Sequence, residues 1–395
     1  MTWRALDLFA PTDEHRLLAE TVTQFVAAEV EPQAAGFNRD EKFNLALFRR
    51  CGDLGLLGLT VGEEVGGAGL DATASVIVHE ALSTADPAFC LAYLAHAVLF
   101  VNNCYRNAAP AQRARFLPPA VRGAHIGGMC MTEPEAGTDV LGMRTTARRD
   151  GDAYVLNGRK TFITNGAVDD TTLGDVFLVY ARTGERSIST LLVERDSAGF
   201  ALGQRWKEKL GMRASMTAEL VFDNCRVPAD QLVGQEGESM QHMMRNLELE
   251  RLALAAMSLG IAQRCLQVMV GYAGQRKAFG VPILEHGQIQ RHIAESYAEY
   301  KAARCYVYDT ARRLDLDRHG NRIDADGTKL FASRVAKEIA DRAIQVLGGY
   351  GYMGEYVVER LWRDAKLLEI GGGTLEAHQK NITKDLARAP ELILR

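Results

Sequence analysis

Two segments carry residue types that suit a phosphate-bearing or otherwise polar ligand. CMTEPEAGTDV contains Thr132, Gly137 and Thr138, whose hydroxyls and exposed backbone N–H groups could hold polar atoms. QRKAFG places Arg276 and Phe279 one helical turn apart, and an arginine fork can bond two phosphate oxygens. Taken alone, the first segment is more typical of a surface turn and the second of a solvated helix face.

Two further segments combine aromatic residues with glycine. FITNG ends a predicted strand with Phe162 and Thr164, a pattern more often due to core packing followed by a turn. QVLGGYGYMGEY is a predicted helix that ends in glycines, which usually form a simple helix C-cap. Each segment is weak evidence by itself, so their common order along the chain has to carry the interpretation.

A glycine triplet and a pair of glutamates raise the question of proton transfer. Gly371–Gly373 interrupts two helical stretches in LLEIGGGTLEAHQK and contains no group that can take a proton. LELERLALAA places Glu248, Glu250 and Arg251 on a long predicted helix. A glutamate beside an arginine on a helix is most often a surface ion pair, and helical rotation points Glu248 and Glu250 to different faces.

Composition limits the classes of protein that fit. Of 395 residues, 47% are hydrophobic and 24% charged, the net charge is −4 and no Lys/Arg-rich block occurs, so a globular protein that does not bind nucleic acid is expected. Seven scattered cysteines without a CxxC pair indicate free thiols and no metal site. The N-terminal segment lacks a signal-peptide core, and Leu252–Ala262 is too short to span a bilayer. These features predict a cytoplasmic protein without a membrane span.

The hydrophobic pattern changes twice along the chain. Residues 12–117 have helical periodicity, residues 126–232 form short alternating or β-branched runs, and helical periodicity returns after Gly237. The fold class is therefore mainly α with a middle β domain. We place an N-terminal helical domain at 1–125, a middle β domain at 126–236 and a C-terminal helical bundle domain at 237–395.

Finer features of the β and C-terminal regions can also be predicted. The stretches Met240–Ala273, Gly287–Leu314 and Ala325–Leu347 are long periodic helices, which usually pack as a bundle. Asn157-Gly158 lies between two alternating segments and is a hairpin-turn signal.

Eight motifs in this order resemble the acyl-CoA dehydrogenase family along nearly the whole chain, most of all its isovaleryl-CoA (branched-chain) subfamily. They are EEVGGAGLD, MTEPEAGTDV, FITNG, KLGMR, LERLALAA, QRKAFG, GGYGY and WRDAKLLEIGGGT. The resemblance implies a helical domain, a β-barrel-like middle domain and a C-terminal four-helix bundle. It also implies a homotetramer with FAD bound between subunits, an acyl-CoA substrate and electron-transferring flavoprotein as electron acceptor.

The resemblance carries cofactor-binding roles onto matching positions. Arg276, Phe279 and the segment 345–349 are expected to reach FAD from a neighbouring subunit. The family more often has Trp where Phe162 stands and Gln where Gly287 stands, so one adenine-side contact is missing or is replaced by Gln288. The implied FAD-binding residues are Met129, Met131, Thr132, Gly137, Thr138, Phe162, Ile163, Thr164, Arg276, Phe279, Gln345, Gly348, Gly349, Thr374 and Glu376.

The resemblance also locates the catalytic base. In most members a glutamate occupies the loop position that here is Gly372, whereas branched-chain and long-chain members place it on a helix, immediately before an arginine. Glu250 matches that second position. The N–H at position 372 is expected to donate to the thioester oxygen. The implied substrate-binding residues are Thr138, Gln241, Glu248, Arg251, Gly372 and Gly373.

The implied activity is α,β-dehydrogenation of a short or branched-chain acyl-CoA, with Glu250 taking the α-proton and flavin N5 the β-hydride. Cys90–Asn103, which matches the roof of the acyl pocket, contains no arginine and disfavours dicarboxylic substrates. Alternatives are an acyl-CoA oxidase, an altered-chemistry homologue (a carrier-protein-bound acyl dehydrogenase or a desulfinase) and an inactive binding homologue. The sequence leaves the acyl chain, the thioester carrier and the pathway open.

Overall fold

The computed structural model describes residues 7–185, 187–318 and 320–394. Helices come first, a β domain follows, and long helices complete the chain. This architecture confirms the predicted fold class. The first strand begins at Gly127 and the first C-terminal helix at Ser239, while the predicted boundaries after residues 125 and 236 stay predictions.

The described part of the N-terminal region contains seven α-helices, and polar side chains define where several of them begin. Asn44 accepts the N–H of Leu47 at 3.0 Å and Asp71 accepts that of Ala74 at 3.0 Å, each capping a helix. The helices are α1 (Asp13–Phe25, continued by a π-helical turn at Val26–Val30), α2 (Glu31–Asp40), α3 (Leu45–Asp53), α4 (Ala72–Ala85), α5 (Pro87–His96), α6 (Asn103–Asn107) and α7 (Pro110–Val121).

The middle region is one eight-stranded sheet. Its order is β6-β7-β3-β2-β4-β5-β8, and β1 pairs in parallel with β4. The strands share a hydrophobic core that includes Phe177, Leu191 and Phe222. The strands are β1 (Gly127–Cys130), β2 (Thr146–Asp150), β3 (Ala153–Thr164), β4 (Val176–Arg182), β5 (Ile188–Glu194), β6 (Phe200–Arg205), β7 (Thr217–Pro228) and β8 (Leu232–Val233).

The hairpin turn predicted at Asn157-Gly158 is wrong. Both residues lie inside β3, and the turn between β2 and β3 is formed at Gly151, which has φ +63°. Gly158 has φ +146° and sits at a shift in the β3–β7 register, where a Cβ would overlap Thr145. The glycine therefore serves a bulge and a close backbone approach, which are the usual roles of glycine inside a strand.

The C-terminal region is built around one long helix. α8 packs against α4 of the N-terminal region and against α9 and α10, so it joins the two helical regions into one core. The three predicted long helices are confirmed to within three residues at each end. The elements are α8 (Ser239–Gln275), β9 (Lys277–Ala278), β10 (Val281–Pro282), α9 (Gly287–Arg313), α10 (Arg322–Leu347), α11 (Val358–Leu368) and α12 (Leu375–Arg388).

Two helical stretches, Pro87–Asn107 and Ser239–Gln275, are long and apolar enough to cross a membrane by length and composition alone. However, 89% and 67% of the most apolar 18-residue stretch in each of them is buried inside the protein, so both are core helices. All seven cysteines are free. The cytoplasmic location stays a prediction.

The bulge in β3 generates a prediction about stability. Gly158→Ala adds a Cβ at positive φ against Thr145, so the free energy of unfolding should fall by about 1–3 kcal/mol. Thermal unfolding measures the change. Gly36→Ala, in α2 with open space around the new Cβ, is the control and should be neutral or slightly stabilising. Equal melting temperatures for both variants would contradict the assignment of the bulge.

Candidate active site

Glu250 lies in the middle of α8, where the helix passes through the apolar core. The residue is 8% exposed, and its neighbours Leu249 and Leu252 are buried. Among the described residues, Oε2 has no hydrogen-bond partner. Burial raises the pKa of Glu250 to about 7, and the cations of Arg251 and Lys329 partly oppose that rise. A buried carboxylate that titrates near neutral pH has the properties of a general base.

The glycine triplet lies directly beside this carboxylate. α11 ends at Leu368 and α12 begins at Leu375. Thr374 caps α12, because its hydroxyl oxygen accepts the N–H of Ala377 at 3.2 Å. Gly372 has φ +65°, and a Cβ built there would lie 3.5 Å from Oε1 of Glu250 and overlap Cδ1 of Leu254. The structure therefore brings together the two segments that the sequence linked, although they are more than 120 residues apart.

A buried polar network supports the other side of the triplet. Arg251 Nη1 lies 3.0 Å from Oδ1 of Asp326, which lies 2.6 Å from Nδ1 of His378. His378 Nε2 and Lys329 Nζ both contact the carbonyl oxygen of Gly373. Asp326, Lys329 and His378 were not predicted from the sequence. The available signal was a pair of charged residues, Asp326 and Lys329, on an otherwise apolar face of α10.

Two predicted substrate contacts have other partners. The carboxylate of Glu248 is buried and accepts the backbone N–H groups of Gly320 (3.1 Å) and Asn321 (3.0 Å) at the start of α10. Arg251 is mostly buried in its ion pair with Asp326. These contacts hold α8 to the start of α10, and the predicted substrate contacts of the two residues stay predictions. Gln241 is exposed in the first turn of α8.

A buried ion pair fixes the loop that follows β1. Lys160 in β3 donates to the carbonyl of Met131 at 3.0 Å and to Glu133 at 2.8 Å. Glu133 also accepts the N–H of Thr145 at 3.0 Å. The loop is thus held from beneath while Thr138 stays exposed, together with Gly137. The Lys160–Glu133 pair was not predicted from the sequence, because the partners are 27 residues apart and belong to different elements.

β3 ends by presenting an aromatic ring. Phe162 has φ +57°, is 62% exposed and packs at 5.4 Å between ring centroids against Trp206. Ile163 is buried in the core of the sheet, since successive strand residues face opposite sides. Its predicted role in cofactor binding stays a prediction, and the burial of the side chain leaves the backbone as the group that would make the contact. Met129 is also packed against apolar clusters and is only half exposed.

A second group of predicted residues surrounds a cleft of about 650 Å³ at the ends of α8 and α10. Arg276, Gln288, Gly348 and Gly349 line this cleft. Phe279, at φ +54°, is 96% exposed on the adjoining β9–β10 turn. Within the part of the chain that the structure describes, the guanidinium of Arg276 makes no hydrogen bond or ion pair. None of the residues around Phe162 lines the cleft, so the predicted cofactor residues form two separate groups.

The remaining predicted cofactor positions lie at or near the ends of elements. Gln345 is exposed in the last turn of α10, and Glu376 is exposed in the first turn of α12. The hydroxyl of Thr374 is engaged as the α12 cap. Met131 and Thr132 are half-buried at the start of the fixed loop.

Comparison with known proteins covers nearly the whole chain. Models of the acyl-CoA dehydrogenase N-terminal, middle and C-terminal domains match residues 12–124, 128–225 and 238–387. The chain belongs to the acyl-CoA dehydrogenase family. Isovaleryl-CoA dehydrogenase from Oryza sativa subsp. japonica is 40% identical over 385 residues, which are 96% of this chain and 92% of that protein.

Solved structures agree with this assignment. Butyryl-CoA dehydrogenase from Megasphaera elsdenii superposes with a TM-score of 0.91 at 31% identity, covering 98% of this chain and all of that one. A glutaryl-CoA dehydrogenase from Mycobacterium smegmatis in complex with FADH2 superposes with a TM-score of 0.89 at 31% identity, covering 95% of each chain. The protein is thus an acyl-CoA dehydrogenase whose cofactor is FAD.

The residues of both cofactor groups fit FAD. Phe162 offers an exposed ring face for a planar ring system, and Arg276 offers an unpaired fork for phosphate oxygens. When bound, FAD supplies an acceptor for a hydride. Met131, Thr132, Thr138 and Thr164 are the further candidates to hold it on the β-domain side.

The unpaired guanidinium generates a prediction about cofactor affinity. Arg276→Ala removes up to two charge-assisted hydrogen bonds, so FAD affinity should fall about 10–100-fold. The flavin content of the purified protein, read from visible absorbance against protein absorbance, measures the loss. Arg291→Ala removes an exposed arginine of α9 and should retain FAD. Full flavin content in Arg276→Ala would exclude the proposed phosphate contact.

Proposed function

We propose that the protein dehydrogenates a short or branched-chain acyl-CoA between its α- and β-carbons, with Glu250 as the base. The observation that carries this proposal is the buried carboxylate of Glu250, placed beside the Gly372 backbone. A base on α8 and a side-chain-free loop opposite it occur together in this chain. Oxidase activity, altered chemistry and an inactive binding role are not favoured by the comparisons.

Two groups of the chain act on the thioester in this proposal, one at the α-carbon and one at the carbonyl oxygen. Glu250 accepts the α-proton, and a pKa near 7 gives it both an ionised fraction and driving force at neutral pH. The N–H of Gly372 donates to the thioester oxygen as negative charge develops there. The electron pair of the broken Cα–H bond forms the double bond, and the β-hydrogen leaves with its own electron pair as a hydride, which bound FAD would accept.

The absence of a side chain on the loop opposite Glu250 supports a branched acyl group. Three consecutive glycines add no side chain to the loop, and Leu254, one turn after Glu250, packs against the backbone of Gly372. A branched acyl group placed at the α-carbon would therefore meet a backbone surface bounded by Leu254. The similarity to isovaleryl-CoA dehydrogenases supports the same substrate class.

The division of the cofactor residues supports an assembly of subunits. The cleft with Arg276 and the exposed Phe279 carries one group, and the edge of β3 carries the other. We propose that FAD lies between two copies of the chain in a homotetramer. Electron-transferring flavoprotein as the acceptor of the electrons is part of the same proposal and follows from the family resemblance.

Replacement of the base gives the first test. Glu250→Gln keeps the size and burial of the side chain but removes its proton affinity, so the rate of flavin bleaching by acyl-CoA without oxygen should fall at least ~10²–10⁴-fold. FAD content should not change. Glu338→Gln, on the surface of α10, should bleach like the wild type. A Glu250→Gln protein that bleaches at the wild-type rate would refute the assignment.

The glycine triplet gives a test of substrate class. Gly372→Ala places a methyl group at positive φ between Glu250 and Leu254, so turnover of isovaleryl-CoA should fall at least ~10-fold more than turnover of butyryl-CoA. Gly371→Ala, whose new Cβ meets only ordinary contacts, is the matched control. Kinetics with both substrates measure the ratio. Equal losses for the two substrates would show that the loop does not select the acyl group.

A further inference from the structure

One backbone carbonyl of the glycine triplet is held by two buried side chains. Lys329 Nζ lies 2.5 Å from the carbonyl oxygen of Gly373, and His378 Nε2 lies 3.0 Å from the same atom. Lys329 and His378 are fully buried, as is Asp326 behind them. A carbonyl oxygen has two lone pairs, so both acceptor positions of Gly373 are filled by side chains.

Both ring nitrogens of His378 contact acceptor atoms. Nε2 lies against the carbonyl oxygen of Gly373 and Nδ1 lies 2.6 Å from a carboxylate oxygen of Asp326. Burial lowers the pKa of His378, and Asp326 opposes that shift. Asp326 holds the ring in place, and Nε2 donates to Gly373 when it carries a proton.

This anchoring has a physical purpose in a loop of three glycines. Glycine loses more backbone freedom on ordering than any other residue, and Gly372 and Gly373 both adopt positive φ. Helix capping by Thr374 orders only the far end of the loop. Two buried donors on Gly373 fix the peptide that follows Gly372, the residue beside Glu250.

We propose that Lys329 is a positioning residue of the active site, which orders the loop through the Gly373 carbonyl and places its positive charge against the loop that borders Glu250. His378, held by Asp326, shares the first role only. The second role rests on the proposed function of Glu250. The other charged groups that surround Lys329 are Arg251 on α8, Asp326 on α10, Glu369 at the end of α11 and, when protonated, His378 on α12.

The two roles predict different effects for the two donors. Burial lowers the pKa of Lys329 to about 8, so the ammonium form predominates at pH 7. Its removal raises the pKa of Glu250, because one of the two opposing cations is lost. The ionised base then appears only at higher pH. Loss of His378 removes a donor from the loop without removing that cation.

The test uses FAD-loaded protein and two measurements. Lys329→Met should increase deuterium exchange of peptides that cover residues 367–380. It should also lower the single-turnover bleaching rate at pH 7 at least ~10-fold and move the rising limb of its pH profile to higher pH. Lys329→Arg, which keeps the cation, should restore the position of that limb. His378→Gln, which can still donate to Gly373, should disturb both readouts less, and His378→Phe should increase exchange without moving the limb.

Arg334→Met, on the exposed face of the same helix, is the matched control and should behave as the wild type. Wild-type exchange and an unshifted limb in Lys329→Met would overturn the proposal, as would a limb shift of equal size in His378→Phe. If Lys329→Met does not fold, the His378 variants decide the anchoring role, because unchanged exchange in His378→Phe would refute it. A wild type that no acyl-CoA bleaches would refute the proposed function, while the exchange measurement would still test the anchoring.

Discussion

Placing the carboxylate of Glu250 inside α8 costs free energy that the surrounding structure must offset. A charge removed from water without a hydrogen-bond partner is unfavourable, and here the result is a pKa near 7. The long helix tolerates this because α4, α9 and α10 enclose it on several sides. Arg251 and Lys329 limit the cost by placing positive charge nearby, so the carboxylate can still ionise near neutral pH.

The burial of Glu250 also restricts the residues that the loop opposite it can contain. A side chain at position 372 would collide with Leu254 and reach Glu250, so glycine with positive φ is required there. A flexible backbone would not hold the N–H of Gly372, the only donor that this loop contributes in the proposal, in one position. The contacts of Lys329 and His378 with Gly373 explain how a triplet of glycines is kept in one conformation. The buried Lys160–Glu133 pair orders the loop after β1 in a comparable way.

The sequence predicted the succession of helical, β and helical regions, because hydrophobic periodicity is a local property. It also paired Glu250 with Gly372, since the family resemblance relates these two positions. The hairpin turn predicted at Asn157-Gly158 was wrong because the same residue types occur in turns and in β-bulges. Only the close approach of Thr145 to Gly158 distinguishes a bulge from a turn at this position. Lys329, Asp326 and His378 were missed for another reason. Their contacts join α10 to the glycine loop across 44 residues and to α12 across 52, and no local pattern records such pairings.

The central claim is that a buried carboxylate on α8 takes the substrate proton. The pH dependence of anaerobic single-turnover flavin reduction by isovaleryl-CoA tests it most directly. The rate should rise with pH and reach half of its plateau near pH 7, because the pKa of Glu250 is about 7. A rate that does not change between about pH 5 and 9, or one that reaches half of its plateau below about pH 5 as an ordinary exposed glutamate would give, would contradict the account.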